Sequence, residues 1–202
     1  MSAHVRRIFF LTLALALAPS CISAAELPAP ALVVLNKTEN TLVVVDPATL
    51  KVVGAPIPTG EGPHEVAVWP ERKLAVVGNY GSGPSPGNTL SVIDLAAHKE
   101  LRRFDLGALR RPHGIWQAGG KFWFTAEGAR VVGRYDPETD RLDWQMGTGQ
   151  NGTHMVVVSR DQRKVFTANL GSDSITALQL VQGPQGPAGW QITQIQIGRA
   201  HV

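Results

Sequence analysis

Beyond residue 26 the apolar positions come in short runs rather than at helical spacing. Thr89–Asp94 alternates apolar and polar residues, His64–Trp69 is an apolar run opened by a histidine, and Lys73–Asn79 is rich in valine and alanine. Gly, Pro, Asn and Asp separate such runs, and β-branched and aromatic stretches bounded by turn formers predict hairpin-linked strands. No stretch of ten or more residues shows helical periodicity after the apolar Ile8–Ala18 segment.

The strands repeat as a unit. Gly62-Pro63-His64-Glu65-Val66, Arg111-Pro112-His113-Gly114-Ile115 and Gly152-Thr153-His154-Met155-Val156 share one pattern, with histidines 49 and 41 residues apart. The first unit predicts strands over His64–Trp69, Lys73–Asn79, Thr89–Asp94 and the more polar Glu100–Leu106. The second predicts His113–Gln117, Lys121–Glu127, Val131–Asp136 and Arg141–Met146; the third predicts His154–Ser159, Lys164–Asn169, Ser174–Leu180 and Trp190–Gln196. Ahead of them, Leu32–Asn36, Thr41–Asp46 and Lys51–Ile57 supply three strands of a partial unit. A period of forty-odd residues marks an array of four-stranded units that bury their faces on one another. The fold class is therefore all-β: a β-propeller of four-stranded antiparallel blades, with three full blades and a partial one. Asp46-Pro47-Ala48-Thr49 and Asp136-Pro137-Glu138-Thr139 are equivalent turns, in which the aspartate caps backbone amides; Asp94 takes the same place without the proline. Gly81–Gly87 is a Gly/Pro/Ser insertion that lengthens the first unit, and Gly183-Pro184-Gln185-Gly186-Pro187 reads as a loop.

The two ends change what composition means. Residues 1–25 read as a secretory signal, with Arg6 and Arg7 before the apolar stretch and Ser23-Ala24-Ala25 for cleavage. The propeller region is then 26–196, exported to a periplasmic or extracellular setting. The apolar stretch is too short to span a membrane. The single cysteine, Cys21, falls inside the signal and lacks a lipoprotein box, so no lipid anchor and no disulfide are expected. Residues 197–202, Ile197 to Val202, break the repeat and read as a non-native tail on a chain cut short at its C-terminus. The formal +3 rests on 19 basic and 16 acidic residues. Arg6, Arg7 and Arg199 lie in the two ends, so the body is balanced and gives no footprint for nucleic acid.

Val165-Phe166-Thr167-Ala168-Asn169, followed by Gly171-Ser172-Asp173-Ser174-Ile175-Thr176-Ala177, is a strand–turn–strand core; Val77-Gly78-Asn79-Tyr80-Gly81 and Leu35-Asn36-Lys37-Thr38-Glu39-Asn40-Thr41-Leu42 are further copies. On these residues the body, about 31–196, resembles the exported YVTN-repeat β-propellers, which implies a ring of seven blades. The second unit, from Pro112-His113-Gly114-Ile115 through Phe122-Trp123-Phe124-Thr125 to Gly133-Arg134-Tyr135-Asp136-Pro137, is similar to streptogramin lyase repeats. That resemblance implies a catalytic histidine and a metal-binding glutamate near the propeller axis. The family's glutamate follows Trp-Phe-Thr directly, whereas here Ala126 intervenes before Glu127. Pro-His and Ala-Asn-Leu-Gly also resemble lactonase propeller repeats.

A histidine at the start of each innermost strand points toward the central channel. His64, His113 and His154 could converge there on a ligand or a divalent metal, or act in acid–base chemistry. Their recurrence equally suits a packing device that bonds strand backbone between blades. Asn36, Asn79, Glu127 and Asn169 read as equivalent second-strand ends, where asparagine bonds its own turn; Glu127 breaks the pattern and joins the ligand candidates. The five tryptophans, Trp69, Trp116, Trp123, Trp144 and Trp190, read as blade packing. The expected function is that of an exported scaffold binding a protein or small ligand, non-enzymatic and without a cofactor. The alternative is a metal-assisted lyase or lactonase with an axial His/Glu site. The complete protein is expected to be a monomer, and the partial ring to associate through its open edge at Leu32–Asn36.

Overall fold

In the computed structural model, residues 27–198 are described. The signal segment with Cys21, and Arg199 and His201 of the tail, lie outside the described residues. Fifteen strands and three single-turn 3-10 helices make up the described chain, with every strand pairing antiparallel. β1 (Leu32–Asn36), β2 (Thr41–Asp46) and β3 (Lys51–Pro58) form a three-stranded sheet. Three four-stranded sheets follow in chain order: β4 (Pro63–Trp69), β5 (Leu74–Gly81), β6 (Pro86–Asp94) and β7 (Lys99–Asp105); β8 (Pro112–Ala118), β9 (Lys121–Ala126), β10 (Val131–Asp136) and β11 (Arg141–Gly147); β12 (Thr153–Val158), β13 (Lys164–Asn169), β14 (Ser174–Gly183) and β15 (Gly186–Gln196). The first strands β4, β8 and β12 lie side by side, so they line the inside of an arc of propeller blades. Among the described residues no helix is long and apolar enough to cross a membrane.

The core lies between the sheets. Leu42, Val44 and Ile57 of the first sheet meet Ala75, Val77 and Ile93 of the second. Val76, Leu90 and Val92 face the other way, onto Phe122, Phe124 and Tyr135. Trp123 and Val132 turn toward Val156, Val158, Val165 and Leu178. Successive side chains of a strand point to opposite faces, so a middle blade buried on both faces needs an unbroken apolar run such as Ala75-Val76-Val77. Trp123 packs with Trp144 and Trp190 at ring-centroid distances of 5.2 and 6.3 Å, which places three of the five tryptophans at one blade interface. Trp116 is exposed. Phe166, in register with the fully buried Val76 and Trp123, is exposed with Met155 and Val157 on the outer face of the fourth sheet.

The turn aspartates act as expected. Asp46 accepts from the Ala48 amide and the Thr49 hydroxyl at 2.8 Å each, and Asp136 does the same for Glu138 and Thr139 at 2.9 and 2.8 Å. Two stretches differ from expectation. Gly81–Gly87 and Gly183–Pro187 are extensions of the β5–β6 and β14–β15 hairpins, with Gly81 opposite Pro86 and Gly183 opposite Gly186. Cross-strand pairing satisfies backbone groups that a free loop would leave to water.

Candidate functional site

Each inner strand carries a β-bulge at its histidine. Pro63, Pro112 and Thr153 pair with Asn79, Ala126 and Asn169, and the register then slips, between Pro63 and Glu65, Pro112 and Ile115, and Thr153 and Met155. His64, His113 and His154 fall in the slipped segments. A bulge releases a residue from the ladder and re-aims its side chain. The three imidazoles come together on one side of the arc. Ring centroids are 4.3 Å apart for His64 and His113 and 3.6 Å for His113 and His154.

The same pairings correct the alignment of Glu127. Ala126, opposite Val131, is the partner in register of Asn36, Asn79 and Asn169, which face Thr41, Thr89 and Ser174. Glu127 is one residue further on, at the start of a single 3-10 turn, and its true equivalents are Lys37, Tyr80 and Leu170. A repeated backbone bond holds this rim: the amides of Tyr80, Glu127 and Leu170 donate to the carbonyls of Gly62, Arg111 and Gly152 at 2.9–3.0 Å. The asparagines, by contrast, are structural. Asn79 and Asn169 are buried and donate to Thr89 and Ser91, and to Ser174 and Thr176, on the neighbouring strand rather than to their own turns.

Each rim residue faces the histidine of the next blade. Lys37 Nζ donates to His64 Nδ1 at 3.4 Å. Tyr80 lies edge-on to His113 with centroids 5.5 Å apart. Glu127 Oε2 is 3.4 Å from His154 Nδ1 and accepts from the Tyr80 hydroxyl at 3.1 Å. Among the described residues no histidine ring nitrogen bonds strand backbone. Thr125 ties two inner strands across a blade boundary: its hydroxyl accepts from the Gly114 amide at 2.9 Å and donates to the His154 carbonyl at 2.5 Å. Gly114 is required there: a Cβ would stand 2.7 Å from the His154 carbonyl oxygen and from Met155 Cα.

His113 is 3% exposed, and its Nδ1 is buried without a hydrogen-bond partner. Burial, then the neighbouring His154, His64 and Lys37, hold its pKa down to about 3, so the ring is neutral near pH 7 and offers lone-pair nitrogen. Burial also lowers His64, with Lys37 and His154 acting in the same direction and Glu127 against them. Glu65, beside His64, has its carboxyl pushed up by burial while His154 opposes. One ligand atom each from His113, Glu127 and His154 lie within 4.8 Å of one another. Two imidazole nitrogens and one carboxylate oxygen form a donor set suited to a borderline divalent metal. His64 stands beside this set, its Nδ1 turned to Lys37.

Lys37, Tyr80, Arg111 and Thr125 were not singled out by sequence reasoning. Once Ala126 is taken as a strand end, Tyr80 and Lys37 align with Glu127, and Arg111 stands where the other units have Gly62 and Gly152. A separate concavity of about 600 Å³ is lined by apolar residues such as Leu27, Val33, Val66 and Leu95, with Lys73 its one charged residue and none of the axial groups.

No family model and no curated protein matches the chain. Solved structures do. Hydrazine synthase of Kuenenia stuttgartiensis aligns with a TM-score of 0.65 at 17% identity, over 90% of this chain and 53% of that one. A streptogramin B lyase aligns with a TM-score of 0.62 at 11% identity, over 83% and 51%. Virginiamycin B lyase from Staphylococcus aureus gives 0.61 at 14%, over 82% and 51%. These likenesses establish the β-propeller fold, and the chain spans about half the length of the structures it matches.

Proposed function

We propose that this chain forms part of an exported propeller that binds a small ligand at its axis, through a divalent metal held by His113, Glu127 and His154. The observation that carries this is the convergence of their donor atoms within 4.8 Å around a buried, neutral, unpartnered imidazole. It moves the reading from a plain scaffold toward the metal-assisted alternative. Bonds near 2 Å place tetrahedral ligand atoms roughly 3–4 Å apart, so small side-chain rotations would close the set. Calorimetry with zinc tests it. Wild type should bind one zinc, and His113→Ala, Glu127→Gln and His154→Ala should each weaken binding at least tenfold. Equal zinc affinity in wild type and all three variants would sink the reading.

A second reading, a metal-assisted lyase or lactonase, is favoured by the Tyr80 phenol on Glu127; a metal held by His113, Glu127 and His154 would supply Lewis-acid polarisation of a substrate carbonyl. The streptogramin B and virginiamycin B lyases share the fold, while the chemistry rests on the cluster itself. Ring opening of a lactone panel by the zinc- or magnesium-loaded protein, abolished in Glu127→Gln, would support catalysis. No turnover with any metal would leave binding alone.

A further inference from the structure

The axial rim carries two cations whose placement the repeat does not explain. Lys37 stands at the rim position where the other sheets have Tyr80, Glu127 and Leu170. It is exposed, with its ammonium 5.3 Å from the centre of the Tyr80 ring. Arg111 approaches the same ring, its guanidinium carbon 5.0 Å from the centre. Cations over a tyrosine ring are attracted to its π-system, so both charges are held about 5 Å from the centre of the Tyr80 ring. Neither cation has a carboxylate within ion-pair distance among the described residues; the Arg111 guanidinium donates to the Gly83 carbonyl at 3.3 Å.

The residue type at Arg111 is a second sign. Arg111 has a φ of 57°, in the left-handed region; Gly62 and Gly152, at the equivalent place in their sheets, have φ of 62° and 60°. Glycine enters that region freely, whereas a side chain there is strained. The third sheet therefore carries a guanidinium where its sister sheets have glycine, in a backbone conformation that eight other described non-glycine residues also adopt, so what sets the position apart is the charge placed on the rim. Glu127, which reaches the hydroxyl of this ring, is engaged by that hydroxyl and by His154.

We infer that Lys37 and Arg111 form an anion seat over Tyr80, so that the axial ligand is a small molecule bearing an oxyanion, carboxylate or phosphate, next to the His113–Glu127–His154 cluster. A guanidinium fork and an ammonium on two sides suit an oxyanion, and Tyr80 supplies a flat wall for the attached carbon skeleton. The inference rests on the axial-site reading for its setting, but the seat itself needs no metal.

The test uses chelator-treated protein titrated with inorganic phosphate and, separately, acetate, followed by calorimetry and by the backbone amide resonances of Tyr80 and Gly83. Wild type should bind at least one of the two anions at millimolar concentration, with affinity falling as salt rises. Lys37→Met and Arg111→Gly should each weaken that binding at least fivefold. Arg111→Gly restores the residue of the sister sheets, so it should fold as well as wild type, and lost binding then cannot be laid to misfolding. Preference for phosphate assigns a phosphorylated ligand; preference for acetate assigns a carboxylate. Lys37→Met should leave zinc affinity unchanged or tighter, because Lys37 repels positive charge at the cluster. Absence of binding by both anions, or undiminished binding in both variants, overturns the anion seat even if zinc binds. Loss of zinc binding alone overturns only the metal.

Discussion

The Thr125 hydroxyl donates to the carbonyl of His154 across the boundary between the third and fourth sheets, at 2.5 Å, while accepting the amide of Gly114. One side chain thus sets the distance between two inner strands and, with it, the spacing of the axial imidazoles. Thr125→Val keeps the shape but strands a buried amide and weakens a carbonyl's bonding, which costs about 1–3 kcal/mol. Gly114→Ala forces a Cβ into contact with the β12 backbone and should separate the strands. Denaturant unfolding should show both losses, and zinc affinity should drop further for Gly114→Ala than for Thr125→Val.

Metal should stabilise the fold. A ligand that binds the native state alone, present at a hundred times its Kd, adds about 2.7 kcal/mol. Zinc should therefore raise Tm in wild type, chelator should reverse the rise, and His154→Ala should show none. A rise that persists in His154→Ala would place the zinc elsewhere.

His113 gives a pH dependence of defined sign. Its folded pKa, about 3, lies below the ordinary histidine value of 6.5, so between these limits the unfolded chain binds the extra proton. Its contribution is complete above pH 6.5 and is lost as pH falls toward 3. In the metal-free protein the His113 ring resonances should stay fixed from pH 8 to about 5. Titration of that ring near neutrality would contradict the buried, neutral assignment.

Asp136 acts lower on the scale. Burial raises its pKa, but hydrogen bonds from Lys121, Thr139 and the Glu138 amide, with the Lys121 charge, outweigh that and bring it to about 2. A depressed carboxylate stabilises above its ordinary value of 3.8, and the contribution is lost as pH falls through the folded value. The shift corresponds to on the order of 2 kcal/mol. Asp136→Asn should be less stable at pH 7 by that order and show a flatter stability curve between pH 4 and 2.

The Trp123 indole is fully buried, and its Nε1 has no hydrogen-bond partner. Trp123→Ala should cost about 3–5 kcal/mol through the cavity left between the third and fourth sheets. Trp123→Phe removes the stranded donor along with part of the ring, and the two effects oppose each other. Thermal unfolding should place Trp123→Phe much nearer wild type than Trp123→Ala.

Strand order, blade grouping and turn caps were legible in the chain because they are local. Alternation and apolar runs mark strands, and an aspartate such as Asp46 or Asp136 closes its own turn within three residues. The recurrence of His64, His113 and His154 also placed them on neighbouring inner strands, since equal positions in a repeat take equal places in a ring. What faces each histidine was decided only by the tertiary structure. Lys37 and His64 are 27 residues apart, as are Glu127 and His154, but each pair meets across a blade boundary that no pattern within a blade describes. The bulges that turn the histidines inward are one-residue slips without a sequence mark of their own, and the place of Glu127, one residue past its strand end, shows only in the pairing of Ala126 with Val131. The pairing of Thr125 with His154, and the clearance that Gly114 leaves, arise from the packing of one sheet on the next. Side chains far apart in sequence become partners only when the interface is formed.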